Sequence, residues 1–548
     1  MSADQSQQPG STKSQEKKTF FLRTSSGLVR EFGTFDTLLI ASAAVFGLVF
    51  TILQFPWFYG FNPGANLTIS LLVAAIPFVF LMVIYWAMGV IMPRSGNDYV
   101  WVARITTPSI GFAWSALYMF AVFATAFVGA TSALTSGIST SLVVWGVLYK
   151  VPSLVNAGNT LSQPWYGFTF SIGIAICFAV LAIVGAKAVK RFLYTVWAIA
   201  GVGIISIWGL LAVTSQATFS SKWDSALSAY STYNGIIHLA TQNGWSLAPV
   251  TFAASVAALP FTALFLLGGN FTNAVAGEVK NAKRAIPIAL ILSLAIGVVF
   301  WAVTSALTMN TVGSNWMYAL GFLWDSAPKA YSAAIPFAPT FPLMIGLIAF
   351  PNQALLALVL FTFIAGSIAV PFVYFWIPSR YFFAWSFDRV IPTKFSSVNK
   401  RFRTPHYSII MITILSVIVF AAYWFTSWPT IETIGNFLWS FAFVIPGIAT
   451  MIFPYTKKEL FATAPGWMGK KIAGIPILSI LGLIVTVSFA YIGYLALRNP
   501  LIITLTSYGV VVALTIIVAC FAIYYIGKWY HKRQGLDTEL AFKEIPPV

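Results

Sequence analysis

The sequence predicts an all-α polytopic membrane protein of about twelve transmembrane helices, and three observations carry that prediction. Apolar stretches of spanning length recur along all 548 residues. Charged residues make up only 8% of the chain against 59% hydrophobic, with a mean hydropathy of +0.84. A soluble domain carries about 25% charged residues, so a water-facing surface of ordinary size cannot be built here. Finally, the gaps between apolar stretches alternate between basic and nearly uncharged. The even gaps and both ends hold 27 of the 31 Lys and Arg residues, and the odd gaps hold only Lys150, Lys222, Lys329 and Arg498. That asymmetry is the positive-inside pattern: both termini are expected in the cytoplasm, with an even number of crossings of the plasma or cytoplasmic membrane.

Taken in order, the helices are expected at roughly 35–55, 67–92, 110–134, 167–187, 192–215, 248–276, 285–312, 354–378, 406–426, 433–454, 473–495 and 501–527, each near the length of about 20 residues that a bilayer requires. Arg94 and Arg104 follow the second, Lys187, Lys190 and Arg191 the fourth, and Lys280, Lys283 and Arg284 the sixth. Aromatic residues near the ends, among them Trp57, Trp101, Trp165, Trp223, Tyr455 and Tyr530, match an interfacial belt. Segment 135–160 either extends the third helix or forms an outer one. The outer gap 216–247 is polar. Segment 313–353 contains an apolar run, Phe341–Phe350, that is short for a span and reads as re-entrant or interfacial. Residues 1–30 read as a disordered polar tail and 531–548 as a second tail.

The net charge of +17 is dispersed among the basic gaps and suits anionic headgroups, not nucleic acid. Cys177 and Cys520 both fall inside expected helices, which argues against a disulfide framework. No cofactor or metal is expected.

Intramembrane charges usually mark ion or proton paths. Here the middle of every span reads as neutral, so a site must be built from backbone groups, hydroxyls and amides. Two spans carry such material. In the first, Ala41, Ser42, Ala43, Ala44 and Gly47 interrupt bulky residues. In the sixth, Gly268 and Gly269 precede Asn270, Thr272 and Asn273. An adjacent glycine pair beside polar side chains is a place for a helix to unwind and expose main-chain polarity to a cavity. Interrupted spans in corresponding positions of two halves point to a transporter binding site.

The loop motifs carry a resemblance. Pro93-Arg94-Ser95-Gly96-Asn97-Asp98-Tyr99, then Arg104, Pro108, Gly111 and Phe112, resembles the P-x-SGG-x-Y…R-x-x-GP-x-x-GF signature of the amino acid–polyamine–organocation permeases. Glu278-Val279-Lys280-Asn281 through Arg284 and Pro287 is similar to that family's E-x-K-N-P-x-R-x-x-P. Arg380 through Asp388, Pro392, Asn399, Arg403 and Pro405 is similar to its loop after helix eight. The resemblance implies an inverted 5+5 repeat, the first at about 35–215 and the second at about 248–455, with two C-terminal helices at about 473–527, together a permease domain over 31–530. It implies alternating access by rocking of a bundle against a scaffold. It also implies that the substrate sits on the turn aligned with Phe46, Gly47 and Leu48 and on Gly268, Gly269 and Asn270; the small and polar residues of the two spans add Ser42, Ala43 and Asn273, and Phe265, little more than one turn before Asn270, is a candidate lid. The family's acid in helix six is replaced by Asn270, which cannot titrate. Thr362 and Ser367 on helix eight would be the ligands of a sodium site; protons are the other coupling ion to consider. Arg104, Glu278, Lys280, Arg284 and Arg380 would form an inner gate.

The expected function is secondary active transport of an amino acid or related small amine, without covalent chemistry. Alternatives are a permease of the same fold for another small organic solute, a multispanning membrane enzyme, or a solute sensor. An enzyme would need clustered carboxylates near an interface; the outer acids Asp224, Asp325 and Glu432 lie far apart in sequence.

Overall fold

A computed structural model describes residues 27–45, 48–426, 435, 438–439, 441–499, 507–534 and 538–543. Among these, ten helices are long and apolar enough to cross a membrane. Two shorter apolar helices, Thr34–Ala43 and Val444–Thr456, stand where the first and tenth spans are expected. The chain is a membrane-spanning α-helical protein whose sheet content is one two-residue hairpin, Lys471–Ile472 with Ile475–Pro476, among the described residues.

The first span appears as Thr34–Val45 and Leu48–Phe61, the second as Leu67–Ile91. Asn66 caps the second: its side chain accepts from the Ile69 amide, satisfying one of the donors a helix start leaves open. The third begins at Pro108 and continues through a π-helical turn, Val122–Phe127, to Leu148, and a separate helix Pro152–Leu161 follows. Segment 135–160 therefore both extends the third helix and contributes a separate one. Its polarity is spent internally. Thr131, Thr135 and Ser141 donate to the carbonyls of Phe127, Thr131 and Gly137, one turn back, so the hydroxyls present little to their neighbours.

Spans four and five are Pro164–Val184 and Ala186–Val213. The polar gap after them folds into two helices, Gln216–Leu227 and Tyr233–Gln242. Span seven is Ala282–Val312. The segment after it forms helices Ser314–Ser326, Pro328–Ala334 and Phe341–Ala349. Every residue of Phe341–Ala349 is buried, so this short apolar helix packs inside protein and has no need to reach across lipid. Span eight runs Gln353–Phe387 with two interruptions, well past its expected end near residue 378. Spans nine, eleven and twelve are His406–Phe425, Ile477–Arg498 and Ser507–Arg533.

Close packing rests on small residues, as in other membrane bundles. A Cβ on Gly482 of span eleven would lie 2.4 Å from the Met451 amide nitrogen and 2.6 Å from the Gly447 carbonyl oxygen of span ten. Both are backbone atoms and cannot swing aside. Gly482→Ala is expected to cost about 1–3 kcal/mol through overpacking, visible as a lower apparent melting temperature of the purified protein.

Candidate functional site

The sixth span is discontinuous. It consists of helices Phe252–Ala257 and Leu259–Phe265, then a 3-10 segment Gly269–Glu278. The break falls at Gly268, whose φ of 108° and ψ of −17° lie in the left-handed region that glycine adopts without a Cβ penalty. The first span packs against this 3-10 segment, and spans two and seven pack against it as well. A Cβ on Gly297 of span seven would sit 2.2 Å from Val45 Cγ1, and one on Gly89 of span two would sit 2.9 Å from Asn273 Oδ1. Glycine at these two places lets the first and second spans close around the break.

The 3-10 segment presents its amides inward. Asn270 Nδ2 donates to Tyr118 Oη at 2.8 Å, and Asn273 Nδ2 donates to the Tyr85 carbonyl at 2.8 Å. Asn270 is 0% and Asn273 2% exposed, yet neither Oδ1 has a hydrogen-bond partner among the described residues. Ser42 Oγ on the first span and Ser367 Oγ on the eighth are buried and unpartnered in the same way. Such groups are costly to leave unmade in a dry interior. Thr34–Val45, which carries Ser42, packs on Gly269–Glu278, which carries the two asparagines, and on Ala369–Trp376, the helix that follows the one ending at Ser367.

The remaining expected residues divide. Ala43 is buried on the first span. Phe46 and Gly47 lie outside the described residues; Leu48 opens the second helical half of that span. Gly269 is buried; a Cβ there would meet Ser293 Oγ at 3.1 Å and Met82 Cε at 3.2 Å. Phe265 lies flat on Trp301, with ring centroids 4.1 Å apart and 12° between planes. Thr362, expected at a sodium site, faces span five. Its hydroxyl donates to the Leu358 carbonyl and its side chain fills the space over Gly203 of span five, a seam other than that between spans one and eight.

Below the break, on the face rich in Lys and Arg, lies a second polar layer. Arg380 donates from Nε and Nη2 to the two carboxylate oxygens of Glu278 at 3.0 and 3.1 Å, and stacks on Trp376 at 4.1 Å. Arg104 donates to Asp388 Oδ1 at 2.9 Å and Oδ2 at 3.2 Å, and to the Ala541 carbonyl. All four side chains are at least nine-tenths buried. Segment 31–32 joins this layer: the Glu31 and Phe32 amides donate to the Glu278 carbonyl, and the Lys280 amide donates to the Phe32 carbonyl. Lys280 and Arg284, expected in the same cluster, are exposed and have no ion-pair partner among the described residues.

Sequence reasoning missed two members of the layer. Asp388 was visible only as a motif position, with nothing to mark it as the partner of Arg104. Asp98, likewise quoted within a motif, is 0% exposed. It accepts hydrogen bonds from Tyr85 Oη, from Tyr381 Oη at 2.6 Å and from the Tyr99 amide at 3.0 Å. It has no ion-pair partner among the described residues. Burial pushes its carboxyl up to about 7, while the hydrogen bonds from Tyr381, Tyr85 and the Tyr99 amide pull the other way.

A discontinuous sixth span over a buried, ion-paired layer suits a machine that passes a solute between two faces. A family model described as amino acid permease matches residues 32–520, which takes in every span but the last part of the twelfth. The chain therefore belongs to the amino acid permeases of the amino acid–polyamine–organocation superfamily and is a transporter.

Proposed function

We propose that this permease is a secondary active transporter of an amino acid or related small amine, working by alternating access across the cytoplasmic membrane. Its face rich in Lys and Arg is the cytoplasmic one, and both termini lie there. The observation that carries the reading is the broken sixth span. The helix stops at Phe265, Gly268 turns into the left-handed region, and the following segment holds two buried amide oxygens without a hydrogen-bond partner among the described residues.

A substrate ammonium or amide N–H is the natural complement of Asn270 Oδ1 and Asn273 Oδ1. A carboxylate would be taken by main-chain amides near Gly268 and by those of Phe46, Gly47 and Leu48, the positions that the family resemblance assigns to it. With Asn270 in place of an acid, the site is neutral, so it favours zwitterions over cations. No covalent step is required. Binding is followed by separation of the ion-paired layer and release to the cytoplasm.

The test is ligand-dependent thermal stabilisation of the purified protein by individual amino acids, amines and nucleobases, with hits taken into counterflow in liposomes. A ligand at about 100 times its Kd stabilises the folded state by about 2.7 kcal/mol. Amino acids are expected to give the largest shifts and to exchange. If only a solute lacking both ammonium and carboxylate stabilises and exchanges, the substrate class is wrong; stabilisation without exchange would make the protein a sensor.

A further inference from the structure

Three carboxylates lie in the layer beneath the broken span, and they are not equivalent. Glu278 and Asp388 each face an arginine fork. Asp98 has neutral donors alone. The groups around it are Tyr85 from span two, Tyr118 from span three and Tyr381 from span eight, with Tyr99 and Arg104 on its own short helix, Asp98–Ile105. Arg104 is turned to Asp388, which also accepts from Tyr99 Oη at 2.9 Å. A buried carboxylate without a cation is costly, and such groups meet the cost by taking up a proton. Oδ1 of Asp98 already accepts two hydrogen bonds, from Tyr381 and the Tyr99 amide. Oδ2 faces the single phenol of Tyr85, so the proton belongs on Oδ2 and Tyr85 Oη then serves as acceptor.

We propose that Asp98 is the proton-binding group of this transporter, occupied while the ion-paired layer is closed and emptied into the cytoplasm when Tyr381 and the end of span eight move away. This rests on the transport reading above. On opening, water replaces the protein around Asp98. The Oδ2–H bond breaks, its electron pair stays on the carboxylate, and the proton leaves as hydronium.

The wiring runs to the substrate. Asn273 donates to the carbonyl of Tyr85, and Asn270 donates to Tyr118, whose ring lies 6.4 Å from that of Tyr381. A solute on the two asparagines therefore bears on two of the residues that hold Asp98. The sign follows from the raised carboxyl. Proton binding favours the closed layer; that contribution is complete below about pH 4 and is lost as the pH rises through about 7.

Two measurements on the full-length protein test this, one of them independent of substrate. Infrared difference spectra between about pH 5 and pH 9 are expected to show a protonated carboxyl band that titrates near neutrality. The band is lost in Asp98→Asn. In Tyr85→Phe it titrates at higher pH, because the ionised form loses a charge-assisted hydrogen bond. In proteoliposomes given a mixture of radiolabelled neutral amino acids, a pH gradient of one unit is expected to raise accumulation up to about tenfold. In Asp98→Asn the ratio with and without gradient falls to about one, against that tenfold ceiling. A band that survives in Asp98→Asn, an unshifted band in Tyr85→Phe, or the same gradient ratio in wild type and variant overturns the proposal. If wild type shows the Asp98 band but moves no amino acid, the substrate reading fails and the proton site stands.

Discussion

Gly268→Leu is expected to reduce uptake by about 100-fold or more, a loss of about 2.7 kcal/mol of transition-state stabilisation, while leaving a monodisperse, membrane-inserted protein. At φ 108° a leucine is held in a region that side chains avoid, at a cost of about 1–3 kcal/mol. The chain can relieve that cost only by rotating out of the left-handed conformation and joining helix Leu259–Phe265 to the 3-10 segment beyond. Doing so moves Asn270 and Asn273 away from Tyr118 and Tyr85. Asn270→Ala tests the same site without touching the backbone. It strands the buried Tyr118 hydroxyl and deletes one proposed acceptor for the substrate, and is expected to raise KM and lower kcat together. Initial rates of uptake in proteoliposomes, normalised to protein inserted, measure both. Unchanged kinetics in the two variants would remove the sixth-span site.

Much of this architecture can be read from the placement of 31 basic residues, because a bilayer imposes one rule on every loop. The break in span six is also legible, since two adjacent glycines before three polar side chains have no better use in a helix. The structure goes further than that reading in one respect, winding the unwound segment into a 3-10 helix. Where the reading fell short, the cause is long-range pairing. Arg104 and Asp388 are 284 positions apart, and no local pattern says which acid an arginine will meet. The same blindness made the loop cations look alike, although Arg104 and Arg380 are buried and Lys280 and Arg284 are exposed. Asp98 was hidden for a further reason: its hydrogen-bond donors are tyrosines, which a charge map does not register. Thr362 was singled out on residue type alone. Its hydroxyl suggested an ion ligand, but a threonine in a membrane helix most cheaply bonds the carbonyl one turn back.

Neutralising one side of the Glu278–Arg380 pair is expected to be the most destabilising single change in the molecule. The guanidinium and the carboxylate are 1% and 8% exposed. Removing one partner leaves the other charged and unsolvated, which typically costs about 3–5 kcal/mol. Arg380 also donates to Ser379 Oγ at 2.9 Å and lies over Trp376, whose ring meets Phe32 edge-on at 5.7 Å. Arg380→Ala therefore loosens the pairing of segment 31–32 with Glu278 and Lys280 as well. Glu278→Gln and Arg380→Met are each expected to lower the apparent melting temperature sharply. The double variant should recover much of the loss, because two neutral partners bury no orphan charge. A double-mutant cycle on the three variants isolates the pair's own coupling from lost packing. In the proposed alternating-access cycle the pair also belongs to the layer that parts for release, so the double variant is expected to exchange substrate while holding the closed state less firmly. Faster labelling of a cysteine placed at Ser379 would report that shift, and labelling at the wild-type rate would mean that the ion pair serves folding alone.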